Sequence, residues 1–169
     1  MKAVMIAGRV YKFGDDINTD IIYPGKYLSI TTDREEMAKH CFEVVYPDFM
    51  KTASKGMIIV AGRNFGCGSS REQAATCLKY FGVAAVIAVS YARIFYRNAI
   101  NVGLPVLVSQ ESNVRIEHGD MIEIELETGT VLNTRTKEPL QATRIPPFIM
   151  QIIHDGGLIP HLRNKLGIK

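Results

Sequence analysis

Between Gly62 and Ala75 the chain reads Gly-Arg-Asn-Phe-Gly-Cys-Gly-Ser-Ser-Arg-Glu-Gln-Ala-Ala, and here the residues best suited to chemistry are concentrated. Gly66 and Gly68 allow a backbone to approach a ligand closely, because no side chain intervenes. Ser69 and Ser70 add two hydroxyls, and Arg71 adds a guanidinium able to grip a carboxylate or phosphate through two parallel hydrogen bonds. Before this stretch stands an apolar run with strand character, residues 57–61. After it, residues 71–81 are rich in helix formers, with Ala74, Cys77, Leu78 and Phe81 at helical spacing. The order predicted is strand, glycine-rich turn, helix. The backbone of Gly66, Cys67 and Gly68 then leads into a helix N-terminus, where unpaired N–H groups and the helix dipole favour an anion. A local reading uses the same residues differently: Ser69 or Ser70 caps the helix and Glu72 or Gln73 completes a capping box. Nucleotide-binding signatures do not fit. The Gly-Lys-Ser/Thr ending is missing, and Arg71 occupies the third glycine position of G-x-G-x-x-G.

Other candidates are weaker. Asn18, Thr19 and Asp20 lie in an ordered loop that continues through Pro24-Gly25 to Ile30, where their side chains are free to face a site; alternatively Asp16, Asn18 and Asp20 close local Asx turns. Arg93 and Arg97 stand one helical turn apart, positioned either to bind a carboxylate or to lie on a solvated face. The histidines at 40, 118, 154 and 161 are scattered, so no metal site is visible in the sequence. His40 reads as a packed or capping residue.

Positioning these residues requires a particular set of elements. Residues 4–13 suggest one or two short strands, and residues 33–43 a helix capped by Thr32 or Asp33. Residues 47–55 form a connector with a short helical piece. The run 84–89 is a buried strand, which with 57–61 makes a β-α-β unit and hence a parallel pair. Ser90 is expected to cap a second helix over 92–100 that stops at Gly103, followed by a strand at 104–108. From Glu111 onward the pattern changes to clean alternation over 120–127, a turn at Thr128-Gly129, a return over 131–134 and a turn at Glu138-Pro139, an antiparallel section. A helix over 148–154 and a short final segment to about Leu166 close the chain. No repeat or low-complexity tract interrupts it, so a single α/β domain over 1–169 is expected.

Composition excludes several classes. An apolar content of 47% with 22% charged residues is that of an ordinary globular protein. The net charge of +3 is small and evenly spread, which argues against a nucleic-acid partner or a membrane-binding tail. The opening residues are too short an apolar run for a signal peptide and read as a first strand, and no stretch approaches a membrane span. Cys41, Cys67 and Cys77 cannot all pair, which points to reduced thiols in a cytoplasm.

Three stretches together resemble the small subunit of the isopropylmalate isomerase and homoaconitase group, a family similar to the swivelling C-terminal domain of aconitase. They are Phe13-Gly14-Asp15-Asp16-Ile17-Asn18-Thr19-Asp20, Asn64-Phe65-Gly66-Cys67-Gly68-Ser69-Ser70-Arg71-Glu72, and residues 92–105, Ala-Arg-Ile-Phe-Tyr-Arg-Asn-Ala-Ile-Asn-Val-Gly-Leu-Pro. The resemblance implies a β/β/α swivel domain and a hydro-lyase that moves a hydroxyl between neighbouring carbons of a hydroxy diacid through an enoic intermediate. Ser69 matches the family's catalytic serine, which takes the proton α to a carboxylate. Ser70 and Arg71 match positions that hold substrate carboxylate, and Asp20 matches an aspartate of the active-site loop.

The resemblance also implies that this chain holds no cofactor. A [4Fe-4S] cluster is expected on a separate large subunit, in a heterodimer or heterotetramer. Residues 27–30 match the segment facing the variable part of the substrate. Ser29 and Ile30 stand where isopropylmalate enzymes often carry arginine and then threonine. That departure brings homoaconitate, dimethylmalate and citraconate-type substrates in as alternatives, while isopropylmalate, in leucine biosynthesis, is the first expectation on family frequency. A non-catalytic anion-binding regulatory domain is the rival of another class.

Overall fold

The computed structural model describes residues 4–168. Strand β1 (Met5–Lys12) opens the sheet, and the start of the expected first strand, Met1–Ala3, lies outside the described residues. Helices α1 (Thr19–Ile22), α2 (Arg34–Ala38) and α3 (Phe49–Thr52), with a single 3-10 turn at Gly25–Tyr27, lead to β2 (Ile58–Ala61). Then follow α4 (Glu72–Phe81), β3 (Ala85–Ala88), α5 (Arg93–Asn101) and β4 (Val106–Val108). The second half comprises α6 (Ser112–Arg115), β5 (Met121–Glu125), β6 (Thr130–Asn133), β7 (Pro139–Gln141), α7 (Pro147–His154) and α8 (Leu158–Leu166).

The strands form one seven-stranded sheet in the order β4-β3-β2-β1-β5-β6-β7. The first four are parallel, and β5, β6 and β7 join antiparallel, as the shift in sequence pattern predicts. β2 and β3 are buried along their whole length, because both faces of the parallel half are covered. Ile59, Ala61, Val86 and Ala88 pack under α1 to α5, while Ile58, Val60, Ala85 and Ile87 meet a second core built with Ile122, Ile124, Leu126, Val131 and Leu140. The antiparallel half thus curls over the back of the parallel half. Its far edge returns to β4: Val108 N donates to Thr143 Oγ1 at 2.9 Å, Thr143 N donates to Val108 O at 2.8 Å, and Ser109 Oγ donates to Gln141 O at 3.0 Å.

Two expectations fail for tertiary reasons. The helix expected over 33–43 is capped by Asp33, which accepts from Glu35 N and Glu36 N, but it ends at Ala38. Phe42 takes φ 57°, which a helix cannot accommodate, and its ring stacks on Phe13 at 4.4 Å within an aromatic cluster that includes Phe49. Burial of that ring outweighs one more turn of helix. Ser90 does not cap α5. Its hydroxyl accepts from Asn64 N at 2.8 Å, and the N-cap residue is Ala92, which makes no side-chain cap.

At the start of β5 the buried Asp120 accepts from Arg135 Nε at 2.6 Å, Arg135 Nη2 at 2.9 Å, Asn133 Nδ2 at 2.7 Å and Glu117 N at 2.9 Å. The Arg135 hydrogen bond, then those from Glu117 and Asn133, hold its carboxyl well below the usual carboxylate range against the opposing effect of burial. A native pKa below the unfolded value stabilises the fold above about pH 4 and loses that contribution as pH falls through the native value. Asp120→Ala is expected to cost about 2–3 kcal/mol, since four donors on three residues lose a charged acceptor. Thermal melts from pH 7 to pH 2 check this. The variant should melt lower at pH 7 and lose less on acidification, and parallel curves would contradict the assignment.

Candidate active site

The parallel strands β1, β2 and β3 release three loops at the same, carboxyl-terminal edge of the sheet, the edge at which open α/β sheets bind ligands. Backbone hydrogen bonds sew them together. Asp16 N donates to Arg63 O at 2.8 Å, Gly66 N to Ile17 O at 2.7 Å, and Thr19 N to Cys67 O at 2.8 Å. On the other side Phe65 N donates to Ser90 O and Ala92 N to Phe65 O, both at 3.0 Å. The buried Thr19 side chain donates to Ser69 O at 2.9 Å, so the serine's backbone is held from below. The three stretches singled out in the sequence are therefore one spatial unit.

Gly66 sits at the centre with φ +77°. A Cβ there would lie 2.3 Å from Phe95 Cβ, so the loop and the first turn of α5 touch in a way only glycine permits. Gly68, at φ +88°, has open surroundings, and its backbone conformation alone favours glycine. Between them Cys67 is half-buried. Burial, and then the charge of Asp16, push its thiol up, which keeps it neutral and a poor nucleophile.

An open cleft of about 210 Å³ lies between these elements. One wall is Thr19, Gly66, Gly68, Ser69 and Arg71, and the other is residues 92–95 at the start of α5. Neither Ser69 nor Ser70 caps α4. Its N-cap residue is Arg71, in extended conformation and without a side-chain cap, and both serines are exposed. The capping alternative thus fails, because the glycine turn points the serines outward. Helices α4 and α5 both open without side-chain caps, so their first N–H groups add positive potential beside the cleft.

Arg71 is largely buried, with 16% of its side chain exposed, and forms an ion pair with Asp20, which is itself 57% exposed. Gly25 leaves room for the pair. A Cβ there would come within 3.1 Å of Asp20 Oδ1 and 3.3 Å of Arg71 Nη1. Asp20 therefore reaches the cleft through Arg71 rather than lining it. Asn18 closes a local turn, accepting from Ile21 N at 2.9 Å, whereas Asp16 reaches across to Asn64 Nδ2 at 2.8 Å. Ser29 and Ile30 are exposed and are not among the cleft's walls; Ile30 is 68% exposed. His40 stacks on Tyr27 at 3.7 Å and shares a 2.6 Å hydrogen bond with Glu43, the packed role expected of it. Ile94 was not singled out by the sequence. Its signal was its place beside Arg93 in the first turn of α5.

Among the described residues no group of three or more His, Cys, Asp or Glu side chains is arranged to hold a metal ion, and no helix is long and apolar enough to cross a membrane. The donors needed for an iron–sulfur cluster are not assembled among them, since Cys41 and Cys77 are buried in the core and only Cys67 lies in the site loops.

A curled mixed sheet whose parallel strands present a glycine-rich turn, an exposed serine and an arginine at one edge defines a known class of domain. Residues 11–111 match the aconitase C-terminal domain, and the chain belongs to that family. Among its relatives, the 3-isopropylmalate dehydratase small subunit of Aquifex aeolicus is 51% identical over 163 residues, 96% of each chain. The isopropylmalate/citramalate isomerase small subunit of Methanocaldococcus jannaschii is 48% identical, again over 96% of each. The crystal structure of a 3-isopropylmalate dehydratase from the latter organism superposes with a TM-score of 0.90 at 45% identity, covering 98% of this chain and 97% of that one.

Proposed function

We propose that this chain is the small subunit of a 3-isopropylmalate dehydratase, a hydro-lyase of leucine biosynthesis, acting as one domain over residues 1–169. The observation that carries the reading is the meeting of an exposed Ser69 hydroxyl and the Arg71 guanidinium in one open cleft, on a chain half identical to such subunits over nearly its whole length. In this reading Arg71 grips a substrate carboxylate bidentately, Ser70 adds a hydrogen bond, and Asp20 holds the guanidinium in place. Ser69 Oγ takes the proton from the carbon next to that carboxylate. The neighbouring carbon loses its hydroxyl as hydroxide while the double bond forms, and in the return step hydroxide adds to the carbon that lost the proton while Ser69 Oγ gives its proton to the other carbon.

A serine hydroxyl is a poor base unless its alkoxide is stabilised. Arg71 and the uncapped starts of α4 and α5 supply positive potential, which is strongest once a partner excludes water. An iron–sulfur cluster held by the large subunit would supply the Lewis acid that assists departure of the hydroxyl.

The test is reconstitution with an iron–sulfur large subunit, followed by absorbance of the unsaturated diacid. Neither chain alone should turn over 3-isopropylmalate, and the mixture should. Turnover by this chain alone would overturn the divided site. The name of the 48%-identical relative makes citramalate the second substrate to try, since it differs in the branch carried and not in the chemistry. Faster turnover of citramalate would reassign the substrate and leave the reaction in place.

A further inference from the structure

Arg71 is not the only guanidinium in the cleft. Arg93, in the first turn of α5, lines the opposite wall. We propose that Arg93 positions the second carboxylate of a dicarboxylate substrate across the cleft from Arg71. This rests on the reading of the cleft as the diacid site, and it assigns a role to a residue outside the serine–arginine turn.

The first argument is charge. A hydroxy diacid brings two negative charges. Arg71 already pairs with Asp20 and is engaged by the first carboxylate, while Arg93 forms no salt bridge among the described residues. Among the described residues that line the cleft, Arg93 is therefore the cation left unpaired and able to meet the second carboxylate. The planar fork of a guanidinium also suits a carboxylate better than a point charge would.

The second argument is placement. The first turn of α5 is not a loose element. Phe95 is 1% exposed, packs against Gly66 and meets the Phe65 ring edge-on at 5.2 Å, and Ala92 N is hydrogen-bonded to Phe65 O. The backbone of Arg93 is thus held at a set position relative to the 66–69 turn, as a specificity group requires. Arg97, one turn further along α5, is exposed and is not part of the wall. The two arginines are separated by function although they share a helix face.

The experiment uses the reconstituted complex with Arg93→Gln, Arg93→Lys and Arg97→Gln, measured on the diacid and on half-esters in which one carboxylate is masked. Arg93→Gln should raise KM for the diacid about tenfold to hundredfold, the range of a charge-assisted hydrogen-bonded pair, with a smaller effect on kcat. The wild-type preference for diacid over one half-ester should largely vanish in Arg93→Gln and partly return in Arg93→Lys. Arg97→Gln should match wild type. Unchanged KM in Arg93→Gln, an equal penalty on diacid and half-esters, or a loss explained by weaker binding of the large subunit would each overturn the proposal. Failure of the underlying reading looks different, because it would show as full turnover in Ser69→Ala. An inactive Ser69→Ala with a normal Arg93→Gln removes the role of Arg93 alone.

Discussion

Ser69→Ala is expected to abolish most turnover of the reconstituted enzyme, by about 10²–10⁴-fold, the usual worth of a positioned general base. The same change should leave the protein's melting temperature where it was. The contact that holds this residue runs from Thr19 Oγ1 to the Ser69 carbonyl, which alanine retains, and the side chain is exposed. Exposed substitutions away from caps and cores usually shift stability by less than about 0.5 kcal/mol. The pairing of large kinetic loss with unchanged stability separates a catalytic hydroxyl from a structural one. It is read from kcat on 3-isopropylmalate, a thermal melt and a binding curve for the large subunit. Turnover near wild type would move the base elsewhere. A lowered melting temperature would make Ser69 part of the turn's architecture.

The largest structural effect is expected from Gly66→Ala. At φ +77° an alanine carries the left-handed penalty of about 1–2 kcal/mol. The added methyl would also sit 2.2 Å from Phe95 Cγ, and the helix that carries this buried ring must move to relieve it, which typically costs about 1–3 kcal/mol. Together these approach 2–5 kcal/mol, or a fall in melting temperature of roughly 5–15 °C for a domain of this size. Activity should fall too, because the displaced element is the cleft's second wall. Gly68→Ala is the control. Its φ is +88°, but the nearest atom, Asn18 Cβ, is 3.5 Å away, so only the backbone penalty applies. Equal melts for the two variants would mean that Phe95 yields freely and that the turn is not braced by α5.

Much of this architecture was legible in the chain itself. The parallel β2-α4-β3 unit showed in two apolar runs around a helical period, and the antiparallel half in the alternation from Asp120 to Glu127. The cap of α2 was legible as Thr32 or Asp33, and Asp33 takes it, two and three residues from the N–H groups that donate to it. Ser69, Arg71, Gly66 and Gly68 were singled out in the sequence as a candidate anion-binding turn, and the structure places all four in the cleft wall. Residues Ser29 and Ile30 were read only through family likeness, and they lie outside that wall.

Other features depend on contacts between distant residues, which no local period encodes. Ser90 sits where a cap would, yet its hydroxyl serves Asn64, 26 residues away. Phe42 leaves a helical pattern for a ring cluster. Asp20 finds Arg71 across 51 residues, and Arg93 becomes a wall of the site because Phe95 docks on Gly66. The amino-acid order alone determined most of the elements and marked one turn as the candidate anion site, since propensity, capping and glycine conformation act within a few residues. Only the tertiary structure decided that three loops share one edge and that α5 closes the cleft, because those outcomes follow from how the sheet's layers pack.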